Sequence, residues 1–273
     1  MTPPRNRVRG GAEPNSVPET DPRNLAGLGV AITGAAGDLG HAMSLELARR
    51  GARVEMIDRA SERDAARRIE AVAAVGECGY TQADVTDRGA IETTLAALDP
   101  LDVMIGNAGI VESAPFLDVT PEQWRAHLDI NLGGCFHVGQ LAARLMVARD
   151  RPGLVLFTGS WVGEIPWPEI GPYCVSKAGV RMLARSMARE LAVHRIRVNV
   201  VAPGIVFAGM ARRQYETDPS YRARASVAIP LGELGTADQV AQAIAFLCSP
   251  EAAYMTGSVL LVDGGASLFQ FAQ

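Results

Sequence analysis

From Gly29 onward, short apolar runs rich in β-branched residues alternate with longer amphipathic stretches, and no other feature constrains the fold as tightly. The runs predict strands at Val30–Thr33, Arg53–Ile57, Tyr80–Ala83, Val103–Gly106, Leu154–Thr158, Arg197–Val201 and Val259–Val262. Helical patterns follow most of them, so the chain is expected to build βαβ units. The result would be an α/β domain with a doubly wound, mostly parallel sheet and helices on both faces. Residues 121–149 read as one long helix, with Thr120 as N-cap and Pro121 at its first position, and Tyr173 to His194 reads as another. Ligands of such an open sheet bind at the carboxyl ends of its strands.

A chain of 273 residues with 48% hydrophobic content buries one large core, so residues 25–273 are expected to form a single domain. Residues 1–24 are rich in Pro, Arg, Asn and Glu, lack an apolar signal-peptide core, and read as a disordered arm. No later apolar run approaches the ~18–20 residues of a membrane-spanning helix, which predicts a soluble protein. A net charge of -4 with both signs interspersed argues against nucleic acid and anionic membranes as partners. Cys78, Cys135, Cys174 and Cys248 form no Cys-x-x-Cys pair, so neither a metal site nor a disulfide framework is expected and a reducing cytoplasm fits. Cys174 reads either as a redox-sensitive thiol or as a small buried helix residue.

The first strand runs directly into Thr33-Gly-Ala-Ala-Gly-Asp-Leu-Gly40 and then into a helical pattern. Glycines at a strand-to-helix turn let the backbone approach a pyrophosphate, and the helix N-terminus offers free N–H groups and partial positive charge. The second strand ends at Asp58, where a carboxylate accepts hydrogen bonds from the adenosine ribose hydroxyls and repels a 2′-phosphate, favouring NAD over NADP. Arg59 complicates that reading, because a guanidinium there would pair with a 2′-phosphate. Farther along, Gly171-Pro-Tyr-Cys-Val-Ser-Lys-Ala-Gly179 places Tyr173 and Lys177 one helical turn apart. An unperturbed phenol titrates near ~10, so a tyrosine that exchanges protons near neutrality needs an adjacent cation.

In order and spacing these residues resemble the short-chain dehydrogenase/reductase family, from Leu28 to Gly265. The resemblance implies a Rossmann-type fold of about seven strands. It also implies cofactor contacts at Gly34, Gly37, Asp38, Leu39, Gly40, Asp58 and Arg59; at the pair Asp84-Val85; at Asn107-Ala108-Gly109; and at Pro203, Gly204 and Val206. The catalytic set falls on Asn131, Ser160, Tyr173 and Lys177. Tyr173 is the implied general acid/base, Ser160 holds the substrate oxygen, Lys177 also touches the nicotinamide ribose, and Asn131 either supports a water linking Lys177 to solvent or, as a mid-helix asparagine, caps a local kink. Two positions depart from the pattern. Asp38 stands where the family has glycine, reading either as a helix N-cap or as extra negative charge near the adenosine phosphates. Ala208 stands where a threonine commonly bonds the nicotinamide carboxamide.

The implied activity is NAD-dependent hydride transfer at a small polar secondary alcohol or carbonyl of the sugar, polyol or hydroxy-acid class. Alternatives are a ketone or steroid reductase, a 3-oxoacyl-thioester reductase, or a non-catalytic NAD(H)-binding regulator. Between Ser160 and Tyr173, Trp161, Glu164 and Trp167 read either as a substrate wall or as packing of a proline-rich turn. Around 207–229, the family's substrate lid, Arg212, Arg213, Arg222 and Arg224 read either as an anion grip or as a solvated helix face. Both long helices carry more apolar residues than one face requires, among them Leu128, Leu132, Cys135, Val138, Leu141, Ala142, Met182, Ala184, Met187 and Leu191. Members of the resembled family commonly pair the equivalent helices between subunits, so with the apolar tail Leu268 to Phe271 the resemblance implies a homotetramer, a dimer being the runner-up; the alternative is that both helices bury their apolar surface within one subunit.

Overall fold

The structure is a computed structural model that describes residues 24–268. The expected arm, apart from Asn24, lies outside the described residues, as does the tail beyond Leu268. The strands are β1 (Gly29–Thr33), β2 (Arg53–Asp58), β3 (Cys78–Gln82), β4 (Val103–Gly106), β5 (Gly153–Thr158), β6 (Ile196–Pro203) and β7 (Val259–Val262). Every pairing is parallel, in the order β3-β2-β1-β4-β5-β6-β7. Each expected strand is present; β3 begins earlier than predicted and β6 runs on to Pro203. The order reverses between β1 and β4, opening a crevice at the carboxyl ends of the strands.

The helices are α1 (Asp38–Arg49), α2 (Glu62–Ala73), α3 (Arg88–Ala96), α4 (Pro121–His127), α5 (Gly134–Ala148), α6 (Gly171–Leu191), α7 (Gly209–Thr217), α8 (Pro219–Ala228) and α9 (Ala237–Cys248). Alternate residues of β1 feed opposite faces of the sheet. Val30 and Ile32 pack with Met43 and Leu47 of α1 and with Ile244 of α9, whereas Ala31 joins Val138 and Leu141 of α5 and Val180 of α6. Fully burying such a side chain contributes about 1.5–3 kcal/mol, which is why a sheet covered on both faces reads as continuous apolar runs.

The helix expected over 121–149 is interrupted. Thr120 and Gln123 form a capping box at the start of α4, but Leu128–Gly133 forms a π-helical turn before α5 begins. The turn carries the fully buried Asn131, whose side chain accepts the Ile110 N–H at 2.8 Å and donates to the Ile110 carbonyl and the Ser176 hydroxyl, both at 3.0 Å. The widened turn thereby points a polar side chain at the loop after β4. Of the apolar residues expected to face a partner subunit, Cys135, Val138, Leu141, Ala142 and Ala184 are buried within this subunit. Phe136, Val147, Val175 and Met182 are the large apolar side chains that α5 and α6 expose. Among the described residues, no helix is long and apolar enough to cross a membrane.

Candidate active site

The crevice is a cleft of about 650 Å³ lined from the glycine-rich turn to the start of α6. At the first of these ends, Gly34 adopts φ +66, and a Cβ there would come within 2.8 Å of the Ala108 Cα. Asn107 holds this approach by donating to the Thr33 carbonyl at 3.0 Å and the Gly34 carbonyl at 3.2 Å, while its amide oxygen accepts the Thr158 hydroxyl at 3.0 Å. The tips of β1, β4 and β5 are thus stitched together. Helices α2, α3, α4 and α9 are capped by Ser61, Asp87, Thr120 and Thr236, but α1 starts from Gly37, which has no side chain to satisfy the first amides. An uncapped helix N-terminus opening on a cleft fits a diphosphate.

Asp58 ends β2 on the cleft wall, accepting the Ala36 N–H at 2.9 Å and the Ala60 N–H at 3.0 Å. Both carboxylate oxygens are oriented and keep free lone pairs. Arg59 lies beside it on the same wall, its side chain exposed. Asp84 closes a local turn: the backbone N–H and the hydroxyl of Thr86 hold its carboxyl below its ordinary value, and desolvation opposes them in part.

At the other end, Ser160, Tyr173 and Lys177 come together on the cleft wall. The Lys177 ammonium is buried, donates to the Thr158 carbonyl at 2.7 Å and lies 5.5 Å from the centre of the Tyr173 ring. Asn131 stands behind them. A Cβ at Gly109 would meet its amide oxygen at 3.0 Å and the Lys177 Nζ at 3.7 Å, so glycine lets the loop pass between these groups and the cleft. Every residue expected to touch the cofactor lines this one cleft, from Gly34 through Val206, and Ala208 borders it as well.

The expected substrate residues fare differently. Trp161 and Trp167 are buried, with ring centres 5.3 Å apart at 71°, and Trp167 continues edge-on to Tyr221 of α8. They form a third apolar cluster under α8, and neither is on the cleft wall. Glu164 pairs with Arg181 at 2.8 Å. The lid arginines do not converge on an anion site: Arg212 reaches Asp38 at 3.4 Å, Arg222 lies over the Tyr215 ring, Arg224 points to Glu169 at 3.9 Å and Arg213 is exposed. Cys174 packs in the third cluster, and burial pushes its thiol up, as expected of a buried helix residue and not of a reactive thiol.

Asp38 is neither the N-cap of its own helix nor a free charge. Gly37 is the N-cap of α1, and the Asp38 carboxylate is paired with Arg68 of α2 at 2.6 Å as well as with Arg212. Sequence reasoning passed over Arg68, Thr158, Ser176 and the exposed cleft residue Glu112. Their local patterns mark an ordinary helix surface, a strand end, a helix interior and a loop, and only the assembled fold brings them to the site.

The family pattern described as Enoyl-(Acyl carrier protein) reductase matches residues 34–267. The chain is 35% identical to the 3beta-hydroxysteroid dehydrogenase 1 of Eggerthella lenta over 258 residues, covering 92% of this chain and 98% of that protein. It is 35% identical to the D-erythrulose reductase of Gallus gallus, covering 86% and 93%. A short-chain type dehydrogenase/reductase structure from Mycobacterium marinum superposes with a TM-score of 0.81 at 33% identity, covering 89% of this chain and 96% of that one. With a parallel seven-stranded sheet, a glycine-rich turn over an uncapped helix, and Tyr173 and Lys177 at the end of the cleft, the chain belongs to the short-chain dehydrogenase/reductase family of nicotinamide-dependent oxidoreductases acting on alcohols and carbonyls.

Proposed function

We propose that this chain is an NAD-preferring dehydrogenase of a small polar secondary alcohol of the sugar, polyol or hydroxy-acid class. The observation that carries the reading is a single cleft with Asp58 at one end and Ser160, Tyr173 and Lys177 at the other. The bound dinucleotide supplies or takes the hydride. Asp58, anchored by two backbone amides, presents its remaining lone pairs to the ribose hydroxyls and meets a 2′-phosphate with like charge.

At the reacting end Ser160 holds the substrate oxygen, and Tyr173 exchanges the proton at that oxygen. Lys177 keeps a buried positive charge beside the phenol and is itself fixed by the Thr158 carbonyl. Asn131 acts by position: both donors of its amide are spent on Ile110 and Ser176, which locks the loop over Lys177. Glu112, exposed on the cleft wall, is an acceptor for substrate hydroxyls. The similarity to D-erythrulose reductase supports a polyhydroxy substrate; that to a 3beta-hydroxysteroid dehydrogenase supports a cyclic secondary alcohol as the second reading. The exposed Phe136, Val147, Val175 and Met182 support assembly through α5 and α6 as a homotetramer, which light scattering after gel filtration tests.

The deciding experiment follows NADH and NADPH absorbance across sugars, polyols, hydroxy acids and steroid alcohols. The expected outcome is higher kcat/KM with NAD and with a polyhydroxy substrate. Faster turnover with NADP would give Arg59 control of the ribose pocket, and turnover restricted to steroid alcohols would select the second reading.

A further inference from the structure

Helix α7 lacks a local cap. Its N-cap residue is Ala208, whose methyl group accepts nothing, whereas Asp218 caps α8 with its own side chain. The missing acceptor comes from 171 positions away: the Asp38 carboxylate takes the Gly209 N–H at 2.7 Å. The same oxygen faces Arg212, one turn into α7, at 3.4 Å. The other oxygen accepts from Arg68 of α2 at 2.6 Å, and Arg68 also donates to the Ala36 carbonyl of the glycine-rich turn. One carboxylate therefore joins α1, α2 and α7.

Asp38 and Gly209 both line the cleft, so their contact ties one wall to the other. The two lid helices are packed to different depths. Helix α8 buries Tyr221, Ala225 and Ala228 in the third apolar cluster. Among the described side chains of α7 none is fully buried: Ala211 and Tyr215 pack only partly against that cluster, Arg222 of α8 donates to the Tyr215 and Glu216 carbonyls, and Gln214 reaches across the mouth to the Ser113 hydroxyl at 3.1 Å. Gly209 adopts φ +50 with nothing within 4 Å of a built Cβ, a backbone free to turn as a hinge.

We propose that Asp38 is the latch of the dinucleotide cleft: it closes α7 over the glycine-rich turn, and its release sets the rate at which dinucleotide enters and leaves. The proposal rests on the reading of this cleft as a nicotinamide dinucleotide site. Asp38 is a positioning residue, acting through Gly209 and Arg212. Where the family resemblance leads one to expect glycine, this chain carries a side chain that reaches the lid.

The test compares wild type with Asp38→Ala and Asp38→Asn by two independent measurements. The first is amide hydrogen exchange of the protein without dinucleotide. Asp38→Ala is expected to raise exchange across 209–217 by at least about tenfold, leaving β1 and β4 to β6 unchanged; Asp38→Asn, which keeps an acceptor for Gly209, should fall between. The second is stopped-flow NADH fluorescence, where association and dissociation rates should both rise at least about fivefold in Asp38→Ala. Unchanged exchange over α7 overturns the latch, whatever NADH does. Raised exchange with unchanged NADH rates overturns the gate. Failure of the wild type to bind NADH overturns the reading of the cleft, while exchange still decides the latch. If Asp38→Ala does not fold, Arg212→Gln replaces it, with an expected rise of about two- to threefold in exchange over the same residues.

Discussion

The two regions that flank the cleft are built from different materials. The dinucleotide end is mostly backbone: a glycine turn at φ +66, an uncapped helix start and strand tips joined by Asn107. The lid end is mostly side chains, namely the stack of Trp161, Trp167 and Tyr221 beneath α8 and the polar latch on α7. Backbone geometry is set by short stretches of chain and survives substitution of its neighbours. Side-chain assembly depends on several distant residues meeting at once and is correspondingly easier to loosen. The dinucleotide end is therefore expected to be the rigid partner and the lid the adjustable one.

The sharpest way to break that comparison is Trp167→Ala. Emptying this buried site should cost about 3–5 kcal/mol in denaturant unfolding, the range for large aromatic deletions, and should loosen α8 while NADH affinity stays close to wild type. A parallel collapse of NADH binding would show that the two ends are one cooperative unit.

Tyr173→Phe probes the junction of the two ends. Turnover is expected to fall at least ~100-fold, the scale of general acid/base catalysis, with NADH affinity nearly unchanged. Near-normal turnover in this variant removes Tyr173 from the proton path. Next in size, Asp58→Ala with Arg59 retained should lower the ratio of kcat/KM for NAD to that for NADP about tenfold, the worth of one hydrogen bond to a charged group. An unchanged ratio would transfer coenzyme choice to another residue.

The smallest effect is the acid response of the latch. The Gly209 N–H holds the Asp38 carboxyl below its ordinary value, opposed by desolvation and helped by Arg68 and Arg212; His41 of α1 faces the same cluster. A carboxyl lowered in the folded state adds stability above its unfolded pKa and loses it as pH falls through the folded one. Exchange over α7, corrected for its intrinsic pH dependence, should thus stay flat from neutrality to pH ~4 and rise only below that. In Asp38→Asn the rise should be absent; its persistence there would assign the response to another carboxyl.

Much of the dinucleotide end was legible because its signals are local. Short apolar runs mark the strands, a turn that must pass within van der Waals reach of the loop after β4 demands Gly34, and an i, i+4 spacing on a helix sets Lys177 beside Tyr173. The family resemblance works for the same reason, since its motifs are short segments whose order survives in the chain. A mid-helix asparagine offers a local kink at Asn131 as one of two readings, but that the kink is a π turn depends on what Asn131 bonds across the fold at Ile110 and Ser176.

The lid was decided by tertiary structure alone. Whether Trp161 and Trp167 face a substrate or a core depends on where α8 settles, and the sequence between Ser160 and Tyr173 contains nothing about α8. The lid arginines share a segment, yet Arg212, Arg222 and Arg224 each find a different partner and Arg213 is exposed, because helix geometry spreads them around α7 and α8. Asp38 marks the division most clearly. The family resemblance leads one to expect glycine there, but the partners Arg68 of α2 and Gly209 and Arg212 of α7 come from two distant parts of the chain. The sequence alone determined the elements and the backbone cradle, whose energetics lie within a few residues; the fold decided which side chains meet, since those energies exist only between segments far apart in the chain.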